Sequence, residues 1–130
     1  MSSDSTTAEL IELNQRLLDA IAEGDWETYT TLCDPTLTAF EPESRGHLAE
    51  GMEFHRFYFD LGSSSGPRNN TMSSPHVRLM GDVAVISYVR LVQRLDDAGA
   101  PVTFRGEETR VWQRVDGTWR HVHFHRSVSS

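Results

Sequence analysis

Lysine is absent from the sequence: all twelve basic residues are arginine. This absence removes the amine of a Schiff base, the lysine of a Walker-type phosphate loop and the lysine that contacts ATP in kinases. The only cysteine, Cys33, has no partner for an internal disulfide, and we interpret it as a small buried hydrophobe rather than a nucleophile. No apolar stretch approaches the roughly 20 residues that cross a bilayer. We therefore expect a cytoplasmic chain without membrane contact.

Positive charge is scarce as well. Twelve basic residues stand against 19 acidic ones, the formal net charge is −7, and the arginines form no basic run. This distribution argues against a nucleic-acid partner. The length of 130 residues suits one domain with its own core, and we expect a disordered start over residues 1–6, the domain over 7–127 and a tail over 128–130. Neither zinc-ligand spacing nor a cofactor motif is present, so we expect no metal and no cofactor.

The first half of the chain has helical periodicity. Apolar residues recur at helical intervals from Leu10 to Ile21, and the capping-box spacing of Thr6 and Glu9 predicts a long helix that begins near Thr6 and ends near Glu23.

Two shorter helices and a strand follow. Gly24 is placed to end the first helix and Asp25 to cap a second one, which ends before Pro35. Residues 36–40 favour a strand. Residues 46–60 favour a third helix, whose common face is formed by Leu48, Met52, His55 and Phe59.

The second half has the alternation of β-strands. Residues 62–70 lack an apolar anchor and are predicted to form a loop. Four strands are predicted over residues 76–80, 83–95, 102–115 and 118–128, joined as a meander. Helices followed by antiparallel strands indicate an α+β fold, in which a curved antiparallel sheet wraps around the long N-terminal helix.

Side-chain alternation orients the last strand, HVHFHR. His121, His123 and His125 are predicted to face one side, and Phe124 and Arg126 the other. The two outer histidines are about 13 Å apart along a strand, too far for one metal ion. A polar strand face is therefore the better interpretation of the triplet.

The same alternation places Arg90 with Tyr88 and Arg110 with Trp112. With Arg126, three neighbouring strands each direct an arginine toward one concave face. A solvated guanidinium is the usual interpretation of a single arginine. Three in corresponding positions indicate a cationic pocket.

The sequence leaves open whether several carboxylates and one histidine lie at the surface or core, or contact the pocket. Glu107 and Glu108 fit ordinary surface pairing, and Glu41 and Glu43 fit solvated turn residues, although inward carboxylates would neutralise the arginines. His55 is either a satisfied core histidine or a ligand contact.

Five ordered segments resemble the association or hub domain of calcium/calmodulin-dependent protein kinase type II: CDPTLTAFEPES, EGMEFHRFYFD, PHVRLMGD, EETRVWQR and VHFHRS. The resemblance extends from about Leu10 to Ser127. It implies the cone-shaped fold of nuclear transport factor two and ketosteroid isomerase-like proteins. It also implies self-association into two stacked rings that gather kinase domains.

The resemblance further implies a ligand pocket. The matching positions are Arg90, Arg110 and Arg126, with His55 at the edge. Strand alternation adds Tyr88 as a further inward residue of the pocket. Its expected partners are small carboxylates or the kinase's own regulatory segment. The tryptophan that vertebrate members carry after FYF is missing from residues 62–70, and so is every kinase signature motif.

Two functions therefore stand as hypotheses. The first is a non-enzymatic oligomerisation scaffold, favoured by strands such as VAVISYVRLV that are apolar on both faces. The alternative is a small-molecule enzyme of the ketosteroid isomerase or dehydratase type. That chemistry needs a carboxylate base with a raised pKa, and no inward Asp or Glu is evident beside His55 and Tyr88.

Overall fold

The computed structural model describes residues 3–62 and 66–128. It has three α-helices, α1 (Ser3–Glu23), α2 (Trp26–Leu32) and α3 (Glu53–Asp60), and a 3-10 turn at Pro42–Ser44. The strands are β1 (Cys33–Phe40), β2 (Ala49–Glu50), β3 (Arg68–Met80), β4 (Val83–Leu95), β5 (Pro101–Val115) and β6 (Thr118–Val128). They form one curved sheet in the order β2-β1-β6-β5-β4-β3, so the predicted α+β fold is confirmed. None of the helices in these ranges is both long and apolar enough to cross a membrane.

Helix α1 buries its apolar face against the sheet and packs on β3. Leu10 and Leu17 on this face are fully buried, as the periodicity predicts, and Leu18 is fully buried as well. The helix begins at Ser3 and not at Thr6, so the capping-box prediction is wrong and the predicted disordered start overlaps the first helical turn. Residues 1 and 2 of that start lie outside the described residues.

The corner between α1 and α2 has the predicted chemistry. Gly24 has a φ of 70°, the left-handed conformation that glycine adopts without strain. The carboxylate of Asp25 accepts a hydrogen bond from the Thr28 backbone N–H at 3.1 Å and caps α2.

Helix α3 is shorter than predicted. Ala49 and Glu50 pair with β1 instead of entering the helix, and the Gly51 N–H donates to the Leu37 carbonyl at 2.7 Å. The positive φ of Gly51, 79°, separates this pairing from the helix. Leu48 therefore lies outside α3 with 42% of its surface exposed, and its assignment to the helical face is wrong.

The four-strand meander is confirmed, with two additions. β3 begins at Arg68, so the last residues of the predicted loop 62–70 are paired with β4. Residues 63–65 of that loop lie outside the described residues. β1 joins the sheet beside β6 in the parallel direction, a pairing between distant segments that no local pattern indicates.

A β-bulge in β6 changes the orientation of the histidine triplet. Trp112 pairs with His121 and Val111 with His123, so Val122 is the extra residue. The bulge reverses the alternation, and His121 is fully buried on the same side as Phe124. The prediction that His121 shares a face with the other two histidines is therefore wrong.

Candidate functional site

A cavity of about 430 Å³ lies between the concave face of the sheet and the helices. Four predicted site residues line it from four different elements: His55 of α3, Arg90 of β4, Arg110 of β5 and Arg126 of β6. Tyr88 is buried behind the cavity and does not line it. The other lining residues are Ile21, Tyr29, Glu41, Glu43, Tyr58, Phe59, Arg68, Arg94 and Phe124.

Glu108 supplies a buried carboxylate behind the cavity. It is 2% exposed, and its two oxygens accept hydrogen bonds from Arg90 Nη1 and Arg110 Nε, each at 3.0 Å. The Tyr88 hydroxyl also donates to it. Burial alone would raise the pKa of Glu108, but attraction to the two arginines outweighs burial and lowers the pKa to about 2. Glu108 is therefore an anion, and its interpretation as a surface-paired residue is wrong.

Arg110 is enclosed on every side. Its guanidinium carbon lies 4.3 Å from the centre of the Phe124 ring, and its Nε also donates to the Tyr88 hydroxyl at 3.0 Å. Burial opposes its charge, but Glu108 more than compensates and raises the pKa of Arg110. The Tyr88 hydroxyl accepts a further hydrogen bond from Asn14 Nδ2 at 3.0 Å. Tyr88 therefore positions Arg110 and Glu108.

Arg126 pairs with two carboxylates carried by the 3-10 turn. Its Nη2 donates to Glu43 Oε2 at 2.7 Å and to Glu41 Oε2 at 3.5 Å. Burial raises the pKa of Glu41, and attraction to Arg126 only partly offsets this effect. Solvation, the simpler interpretation of these two residues, is wrong for Glu41: its side chain is 8% exposed.

His55 is buried at the wall of the cavity. Its Nδ1 lies 3.3 Å from Glu41 Oε1, but Nε2 has no hydrogen-bond partner among the described residues. Burial and the nearby Arg110 lower the pKa of His55 to about 4, so the imidazole is neutral near pH 7. An unpaired ring nitrogen in a buried position is an open contact point for a bound molecule.

Two arginines of the cavity were not predicted. Arg68 and Arg94 lie directly opposite each other on β3 and β4 and line its outer part. Arg68 was not assigned to a strand, because the pattern of residues 62–70 indicates a loop. Arg94 lies four residues after Arg90, so strand alternation would have placed it on the same face.

Cys33 and His121 are two further polar residues of the core. Cys33 Sγ lies 3.4 Å from His121 Nδ1, and burial raises the pKa of the thiol to about 12. The interpretation of Cys33 as a buried small residue is confirmed. Burial, with Arg110 nearby, holds the pKa of His121 well below its usual range. Within residues 3–62 and 66–128, no group of three or more side chains is arranged to hold a metal ion.

The curved sheet backed by helices is a fold shared with nuclear transport factor 2-like proteins. An NTF2-like superfamily protein from Salmonella enterica has a TM-score of 0.79 at 21% identity, with 99% of this chain and 94% of that chain covered. At this identity the likeness shows the fold alone.

The family is narrower than the fold. Residues 6–130 match the family model described as calcium/calmodulin dependent protein kinase II association domain, and the chain belongs to this family. It is 54% identical over 124 residues to the kinase type II subunit delta of Oryctolagus cuniculus, covering 93% of this chain and 23% of the kinase. The solved hub homology domain of Chlamydomonas reinhardtii is 53% identical, with a TM-score of 0.91 and coverage of 96% of this chain and 99% of that one. The predicted resemblance is confirmed.

Proposed function

We propose that this chain is a non-catalytic oligomerisation hub that assembles through identical copies into two stacked rings, and that such an assembly gathers calmodulin-dependent kinase domains. The observation that carries the proposal is membership of the association-domain family over residues 6–130. The chain spans less than a quarter of the kinase it matches. The connection to kinase domains is therefore part of what we propose.

The surface of the protomer supports self-association. The outward face of the central strands carries Val83, Val85 and Val89 of β4 and Val111 of β5, with no described element covering it. On α3, Phe57 is 61% exposed, and Leu61, which follows the helix, is 70% exposed. Apolar surface of this kind is typical of an interface between subunits.

Native mass spectrometry tests the assembly. We expect a particle of many subunits at micromolar protomer concentration. Val85→Glu places an unpaired charge on the outward sheet face and should lower the particle mass. Ala8→Glu adds the same charge at an exposed position of α1, away from the outward sheet face, and serves as the control. A monomeric parent chain would contradict the proposal.

We further propose that the cavity binds small carboxylates or an acidic segment such as the kinase's regulatory segment. The supporting observations are the guanidinium groups of Arg90, Arg110 and Arg126 in one wall and the unpaired Nε2 of buried His55. A ligand carboxylate competes with Glu43 for Arg126. Calorimetry with short hydroxy acids such as lactate should give binding that is weakened in Arg126→Gln and retained in Arg78→Gln, an exposed position outside the cavity. Identical isotherms for parent and Arg126→Gln would reject the assignment.

The enzymatic alternative requires a carboxylate base with a raised pKa. Glu108 is excluded from this role, since its pKa is about 2. Glu41 has a raised pKa and lies beside His55, but its second oxygen faces Arg126. Arg126 partly offsets the rise in the pKa of Glu41 and so weakens this carboxylate as a proton acceptor. The geometry therefore favours binding over proton transfer.

A further inference from the structure

The five arginines that line the cavity differ in their partners. The three inner ones are balanced by glutamates: Arg90 and Arg110 contact Glu108, and Arg126 contacts Glu41 and Glu43. The two outer ones, Arg68 and Arg94, form no ion pair with any described carboxylate. The uncompensated positive charge of the cavity therefore lies at its outer end.

Arg68 and Arg94 face each other across the β3–β4 ladder. Like charges in directly opposite positions repel, so this arrangement costs stability unless an anion lies between them. Arg68 Nε is buried without a hydrogen-bond partner among the described residues, and its Nη1 reaches only the Ala22 carbonyl at 3.5 Å. Arg94 is oriented by the Phe104 ring, whose centre lies 4.6 Å from the guanidinium carbon.

The nearby aspartates form no ion pair with Arg68 or Arg94 among the described residues. Asp96 and Asp97 line a neighbouring depression together with the two arginines. Asp96 Oδ1 accepts hydrogen bonds from the Ala98 and Ala100 backbone N–H groups, each at 2.9 Å, and is held within its own turn. Within residues 3–62 and 66–128, neither aspartate lies within ion-pair distance of Arg68 or Arg94.

We infer that Arg68 and Arg94 form a carboxylate site at the mouth of the cavity and that the ligand is a linear dicarboxylate. One carboxylate binds this outer pair, and the other reaches the inner arginines. The inference rests on the proposed binding function of the cavity and names its ligand class.

The dimensions of the site fit such a molecule. Arg90 and Arg94 lie on the same face of β4, four residues apart, which separates their Cα atoms by about 13 Å. Because arginine side chains are long, the distance between the two guanidinium groups can be shorter than the distance between the Cα atoms. The volume of about 430 Å³ is in the range of small-molecule sites. Planar guanidinium groups bind a carboxylate through two parallel hydrogen bonds.

Calorimetry with two matched series of acids tests the inference. The dicarboxylates are succinate, adipate and suberate, and the monocarboxylates are butyrate, hexanoate and octanoate. We expect at least one of the dicarboxylates to bind about ten-fold more tightly than the monocarboxylate of equal length. The dicarboxylate gains the charge-assisted contacts of the outer pair. Arg68→Gln and Arg94→Gln should each remove this advantage.

Arg78→Gln is the matched control, since Arg78 is an exposed arginine of β3 outside the cavity. It should keep the dicarboxylate advantage. Native mass spectrometry of each variant checks that its assembly is unchanged. Monocarboxylate binding without a dicarboxylate advantage in the parent, or an advantage that survives both substitutions, overturns the outer site and leaves the proposed binding function standing. Failure of every acid to bind overturns both.

Discussion

Among single residues, Glu108 sets the charge balance of the buried site. Its carboxylate is the shared partner of Arg90 and Arg110 and accepts a hydrogen bond from the Tyr88 hydroxyl. Glu108→Gln leaves the fully enclosed Arg110 without a counter-charge. We expect the free energy of unfolding to fall by about 3–5 kcal/mol, the usual effect of removing one member of a buried ion pair. Urea denaturation at fixed protomer concentration measures it.

Glu107→Gln is the control for this substitution. Glu107 is the exposed neighbour of Glu108 and faces the other side of β5. Its replacement should change the free energy of unfolding by no more than about 0.5 kcal/mol. Equal effects of the two substitutions would contradict the role assigned to Glu108.

The buried histidine of the cavity makes stability depend on pH. The pKa of His55 is about 4 in the folded chain, against an ordinary value of 6.5. Below pH 6.5 the unfolded chain takes up a proton that the folded chain does not, so unfolding becomes easier. The contribution is complete above about pH 6.5 and is lost as the pH falls toward 4. Glu41, whose pKa is raised, acts in the opposite direction.

His55→Gln isolates this contribution. We expect its free energy of unfolding to vary less steeply between pH 7 and pH 5 than that of the parent, by up to about 1.4 kcal/mol per pH unit. The measurement is urea denaturation at a series of pH values. His47→Gln, which replaces an exposed histidine outside the cavity, should retain the parent's slope. A slope unchanged in His55→Gln would show that His55 does not titrate as described.

At the level of secondary-structure elements, alternation along the strands explains which site residues were predictable. The prediction succeeded for Arg90 and Arg110, which lie on regular parts of β4 and β5, and for Arg126, which follows the bulge of β6. It failed for His121, because the extra residue Val122 reverses the alternation. The bulge coincides with a shift in the β1–β6 pairing, so its position depends on segments far apart in the sequence.

Among the carboxylates of the site, one could be placed from the local strand pattern and two depend on the tertiary structure. Glu108 was predictable, because residues two apart on a strand share a face and Arg110 was already assigned inward. Glu41 and Glu43 were not. Their positions depend on the 3-10 turn at Pro42–Ser44, which ends at Arg45 with a φ of 54° and brings both carboxylates to Arg126 of β6.

Glu43 of the 3-10 turn is expected to compete with a bound carboxylate for Arg126. Glu43 holds Arg126 through hydrogen bonds to both of its oxygens, as a bound carboxylate would. Glu43→Gln removes the competing charge and frees the guanidinium. We expect short carboxylates to bind about two- to ten-fold more tightly in calorimetry, a gain limited by the partial exposure of the pair.

Glu50→Gln is the matched control for that gain, since Glu50 is an exposed glutamate of β2 that does not line the cavity. It should leave carboxylate affinity unchanged. Weaker binding in Glu43→Gln would mean that Glu43 takes part in holding the ligand rather than competing with it.

For the molecule as a whole, the two faces of the sheet have different surroundings. The concave face packs on α1 and encloses the arginine cavity, whereas the outward face of β4 and β5 carries valines that no described element covers. A sheet with apolar residues on both faces needs cover on both. In the proposed hub, sister copies supply the second cover, and the stability of the protomer becomes linked to assembly.

This linkage predicts that the melting temperature of the parent depends on protomer concentration. Because assembly stabilises the folded chain by mass action, the melting temperature should rise as the protein is concentrated from nanomolar to micromolar protomer. Val85→Glu should melt at a lower temperature with a weaker dependence on concentration, while Ala8→Glu, on the exposed face of α1, should follow the parent. Differential scanning fluorimetry over a dilution series, with particle mass measured in parallel, separates the two variants. A parent melting temperature that stays constant across the mass transition would mean that each protomer is stable without its neighbours, and that the valines of the outward face are not the contacts that hold the assembly together.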